Sequence, residues 1–120
     1  MDTNIIKLVE IEAKLKDVLA IIAEKKEKPN HILGLINPTE EQYAYAWETL
    51  STLDIIESHV ELLLNNVKRG DFKKVGQFID FTLYQLDRFG EKDPQQTVVY
   101  RAQRAVIDIY TKIRKEYFIA

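Results

Sequence analysis

Cysteine is absent from the chain, which excludes a disulfide framework, a thiolate metal site and a cysteine nucleophile. Proline and glycine are scarce, at 3 and 4 of 120 residues, so collagen-like repeats and linker-dominated architecture are excluded too. Neither sign of charge dominates. Seventeen Lys and Arg against 19 Asp and Glu leave a net charge of −2, unlike the basic excess of a strong nucleic-acid binder. Long apolar runs are missing as well: the longest, Val18 to Ala23, falls far short of the ~20 residues of a membrane span. Asp2 and a polar first turn are unlike a secretory leader, so the expected setting is cytoplasmic, with no membrane contact. The 46% of hydrophobic residues are enough for a core, and residues 1–120 are expected to form a single domain.

Those hydrophobic residues recur with helical period in four segments. In the first, about residues 3–28, Leu8, Ile11, Leu15, Val18 and Ile22 form one stripe. Pro29 is expected to end it, because proline donates nothing to the ladder and disfavours helical backbone just before it. Residues 29–37 then carry Ile32, Leu33, Leu35 and Ile36, too apolar for a solvated loop, and are expected to fold back as a lid. The second helix, about 38–68, opens with Asn37 as N-cap, Pro38 at the first position and Glu40 in the capping-box place. Its stripe is Leu53, Ile56, Val60, Leu63 and Val67, and Gly70 is the expected left-handed cap. The third, about 71–89, starts at Asp71, turns Phe72, Val75, Ile79, Leu83 and Leu86 inward, and is closed by Gly90; Gly76 within it permits a close helix approach. Asp93-Pro94 opens the fourth, about 94–118, with Val99, Ala102, Val106, Ile109 and Ile113 inward.

Four amphipathic helices with mostly short turns are expected to make an all-α, antiparallel four-helix bundle, with the lid between helices 1 and 2. The lengths do not match. About 30 residues span ~45 Å and about 18 only ~27 Å, so the second helix must overhang or break near its start, and the overhang is where a partner is expected.

Chemistry-bearing patterns are thin. Asp54, Glu57 and Glu61 have helical spacing, but His59 diverges from its neighbouring carboxylates by about 200° of rotation, and no other helix brings a Glu-x-x-His. Ser51 and Ser58 have no glycine-rich elbow and no activating histidine. No glycine loop cradles phosphate. Arg69-Gly70-Asp71 spells an adhesion tripeptide, yet it sits where a helix junction needs its caps. The expectation is no enzyme, with no catalytic, cofactor or metal site.

Charge and surplus apolar surface say more. Residues 29–67 hold six carboxylates and no Lys or Arg; Glu48, Asp54, Glu57 and Glu61 form the expected acidic face. Residues 94–120 carry five Lys and Arg against two carboxylates, with Arg101, Arg104, Lys112 and Lys115 as the basic face. Beyond the core stripes stand Tyr43, Trp47, Ile55 and Leu62 on the second helix, Phe81 and Tyr84 on the third, and Tyr100, Ile107 and Tyr110 on the fourth. A four-helix monomer hides one stripe per helix, and surplus aromatics are what interfaces favour. The expected function is therefore a non-enzymatic interaction protein that forms a homodimer and binds or inhibits a protein partner. The alternative is a nucleic-acid-associated accessory protein using the basic face of the fourth helix.

Overall fold

The computed structural model describes residues 2–90 and 97–119 and is all-helical there, with four helices and no strand among the described residues. α1 spans Thr3–Leu33, α2 Glu40–Lys68, α3 Phe72–Gly90 and α4 Thr97–Tyr117. The expected start of the fourth helix, Asp93 to Gln96, lies outside the described residues.

Local signals explain most of the boundaries. Asp2 caps α1, its side chain accepting from the Asn4 N–H at 3.0 Å. Gly70 takes φ 79°, the left-handed conformation that lets α2 stop and the chain turn sharply. Asp71 then accepts from the Lys74 N–H at 3.1 Å and opens α3, so the Arg-Gly-Asp tripeptide serves as a C-cap, a turn and an N-cap.

Two boundaries differ from the sequence reading. Pro29 does not end α1; the helix runs through it to Leu33, and Gly34 closes the last turn with its N–H on the Asn30 and His31 carbonyls. An internal proline costs a helix about 3 kcal/mol in a lost hydrogen bond and a clash. Full burial of the Pro29 ring offsets part of that cost. The stretch expected to form a lid is consequently helical in its first half, and Leu33, Leu35 and Ile36 are exposed, Ile36 to 96%. The N-cap of α2 is Thr39, not Asn37. Thr39 accepts from the Gln42 N–H at 3.1 Å while the Gln42 side chain accepts from the Thr39 N–H at 2.9 Å, a reciprocal capping box that Asn37 and Glu40 do not make.

The core joins all four helices through the expected stripes. Leu8, Ile11, Leu15 and Ile22 of α1 meet Leu53, Ile56, Val60, Leu63 and Val67 of α2, and Val75, Ile79 and Leu86 of α3 meet Ala102, Val106 and Ile113 of α4. Val18, Phe72, Leu83 and Ile109 are partly buried against this cluster. Lys7 and Lys14 of α1 reach Tyr117 and Glu116 of α4, whereas Lys26 reaches Asp54 and Glu57 of α2. Beside the Lys7 contact, Gly76 leaves room for Phe118: a Cβ there would stand 2.9 Å from a ring carbon, and the same ring stacks on Phe72 with centroids 4.3 Å apart.

This shared core stops short of one end. Between Ala23 and Thr52 only Pro29 and Ala46 are buried, and neither belongs to the four-helix cluster. α2 stays continuous through this stretch, so the length mismatch is resolved by overhang and not by a break. The end of α1 and the start of α2 form a two-helix arm. The radius of gyration reflects it: 16.5 Å, against about 13.5 Å for a compact domain of this length.

Candidate interaction surface

The arm gathers apolar side chains that the core does not use. Of fifteen exposed large apolar residues among those described, six (Leu33, Leu35, Ile36, Tyr43, Tyr45 and Trp47) lie within residues 33–47. Tyr43 and Trp47, 56% and 55% exposed, stand one turn apart on α2. Their stripe is turned about 100° round the helix from buried Ala46, Leu53 and Val60. Tyr45 turns to the other side, where the Lys28 ammonium lies 5.6 Å from its ring and an open groove runs past Ile32 and Gln42.

The other candidates divide. Leu62, Phe81, Tyr84 and Tyr100 are exposed as expected of a second stripe. Ile55 and Ile107 are partly buried against the core. Tyr110 is a correction, for it is fully buried and the largest such side chain. Ala102, Val106, Tyr110, Ile113 and Tyr117 are the buried residues of α4, and their 4-4-3-4 spacing keeps one face as well as the expected Ile109 does. Its hydroxyl donates to the His59 carbonyl at 2.7 Å, which satisfies the one polar atom that could have made its burial costly. That spacing is the signal in the sequence for Tyr110; Tyr45 is a further exposed aromatic that no inner or second stripe of the sequence reading includes.

The two charged faces do not meet within the chain. Asp54 and Glu57 pair with Lys26 of α1 at 2.7 and 3.0 Å, and these hydrogen bonds, that to Asp54 foremost, raise the lysine above its ordinary value of 10.5 against the opposing effect of burial. On α4, Arg114 pairs with Asp80 of α3 at 2.7 Å. Arg101, Arg104, Lys112 and Lys115 are exposed, and they enter no ion pair among the described residues. Glu48 and Glu61 of the acidic face are likewise unpaired there. His59 is partly buried and burial lowers its pKa, so it is neutral at pH 7; among the described residues no three His, Asp or Glu side chains converge to hold a metal ion. None of the helices among the described residues is long and apolar enough to cross a membrane.

Tyr110 and Lys26 set a pH dependence. Burial pushes the Tyr110 phenol well above its ordinary value of 10.0. The folded protein therefore keeps protons that the unfolded chain releases above about pH 10, and both groups give stability that is full below that pH and lost as it rises through the folded values. Thermal melts followed by circular dichroism are expected to show the midpoint falling from about pH 10 upward. Tyr110→Phe is expected to flatten that fall; an unchanged slope would detach it from Tyr110.

Comparison with protein-family models, with curated proteins and with solved structures found no match to this chain, so its surfaces alone carry the functional reading.

Proposed function

We propose that this chain is a small helical interaction protein, not an enzyme, which forms a homodimer and binds or inhibits a protein partner. The observation that carries this reading is the arm: a two-helix projection beyond the shared core, holding Tyr43 and Trp47 in water on one stripe. Clustered apolar surface of this kind marks protein contact sites, whereas singly scattered exposures are ordinary. The proposal takes the four helices as an antiparallel bundle, supported by the ladder in which Lys28 meets Tyr45, Lys26 meets Asp54, and Leu8 lies beside Phe72 at the far end. It keeps the cytoplasmic setting expected from the sequence.

Light scattering across a hundredfold range of concentration tests it. The expected mass is twice 14.0 kDa, and Tyr43→Ala with Trp47→Ala is expected to halve it without moving the thermal midpoint. A double variant with unchanged mass and unchanged partner capture would remove the proposal.

A second reading, a nucleic-acid-associated accessory protein, is favoured by the four cations on α4 that are unpaired among the described residues. Four phosphate contacts would give a salt slope of about −3.6 in log K against log salt. Absence of any shift in a low-salt gel disposes of this reading.

A further inference from the structure

The acidic, aromatic stripe of α2 and the cationic stripe of α4 both point outward. On α4, Arg101, Arg104, Asp108, Lys112 and Lys115 fall within about 80° of rotation, opposite buried Ala102, Val106 and Ile113. On α2, Glu40, Tyr43, Trp47 and Glu48 lie away from buried Ala46 and Leu53. Two stripes that each face away from their own core cannot close on one another within one chain. Only a second molecule can bring them together.

We infer that the α2 stripe of one copy docks on the α4 stripe of a second copy, with Trp47 as its anchor. This rests on the self-association reading above and names its surface and partner. Three observations support it. The charges are opposite and enter no ion pair among the described residues. The spacings match: Glu40 and Glu48 are eight residues apart, as are Arg104 and Lys112, which sets each pair about 12 Å apart along its helix. Around Lys112 the surface of α4 is dished, a depression of about 450 Å³ lined by Ile107, Asp108, Thr111, Lys112 and Lys115.

That depression suits an indole. Ile107 offers an apolar wall, and the Lys112 ammonium a cation for the ring face. The indole N–H is a donor only and needs an acceptor. Asp108, the one carboxylate in an otherwise cationic stripe, supplies it. Glu40 and Glu48 would then flank the anchor against Arg104 and Lys112, while Tyr43 extends the contact along α4. Arranged about a twofold axis, the contact is made twice and closes the dimer.

The test is a charge swap read by light scattering and by the emission of Trp47, the only tryptophan. Wild type is expected to be dimeric, with emission shifting to the blue as concentration rises. Glu40→Lys with Glu48→Lys, and separately Arg104→Glu with Lys112→Glu, are each expected to weaken the dimer at least tenfold while circular dichroism stays native. Mixing the two variants is expected to restore both the dimer mass and the blue shift, because each reversed stripe then meets its complement. Asp108→Asn is expected to weaken the dimer less than either reversal. If wild type dimerises but both reversals remain dimeric, or if mixing restores nothing, the docking assignment is wrong while self-association stands. A wild type that stays monomeric at every concentration overturns both, and cations that serve only to retain nucleic acid would show as salt-sensitive binding lost in the Arg104→Glu, Lys112→Glu variant without any change of mass.

Discussion

Tyr110→Ala is expected to cost about 3–5 kcal/mol of folding stability, the range for removing a fully buried aromatic ring. Tyr110 is wholly inaccessible, with Phe78 tilted against it at 6.4 Å between ring centroids, and its hydroxyl donates across to the backbone of α2. Alanine leaves a ring-sized void where α2, α3 and α4 meet and removes the donor from the His59 carbonyl. A chain of this length has about 6–18 kcal/mol in all, so the variant is expected to melt far lower and to unfold in much less urea. Tyr110→Phe separates the parts. It keeps the ring and loses only the hydrogen bond, an expected cost of about 0.5–1.5 kcal/mol. If the two variants melted together, the hydroxyl contact and not the ring would be the main contribution, and the packing account of α4 would fail.

The second large effect sets two neighbours in sequence against each other. Leu63 is fully buried in the four-helix cluster, whereas Leu62 is 52% exposed on the outer side of α2. Leu63→Ala is expected to cost about 2–5 kcal/mol, the sum of lost transfer energy and the cavity left behind. Leu62→Ala is expected to change stability by no more than about 0.5 kcal/mol. Denaturant titration of the two variants is the measurement. Equal losses would mean that α2 is rotated about its axis, which would carry Trp47 and Tyr43 inward and remove the surface on which the functional reading rests.

Much of this was legible in the chain itself. All five residues expected on the inner stripe of α2 are buried, as are four of the five on α1, because burial on a helix follows a period of 3.6 that the sequence displays directly. Gly70 and Asp71 were legible for a related reason, since backbone conformation and capping depend on residues within one turn. The box at Thr39 and Gln42 is legible too: Thr-x-x-Gln is the stronger motif, although Pro38 beside it favours a start two residues earlier.

Other features depended on distance in space. Pro29 reads as a helix end because its local cost is plain, whereas the burial that offsets it exists only once α2 lies alongside α1. Tyr110 reads as surplus because a tyrosine beside a sufficient aliphatic stripe needs a polar partner to be buried, and that partner is a carbonyl 51 residues away. The opposite charges of α2 and α4 are partly met by other helices, Lys26 of α1 and Asp80 of α3. Which carboxylate meets which ammonium is settled by the rotation of each helix about its axis.

The sequence by itself determined four helices, the inner faces of α1 and α2 and the caps at the α2–α3 junction, since each follows from periodicity or from neighbours within a turn. Only the tertiary structure decided where the shared core ends, that the α1–α2 arm projects beyond it with Trp47 in water, and that four cations of α4 enter no ion pair among the described residues. Those depend on the lengths and rotations of helices packed together, which no local pattern encodes.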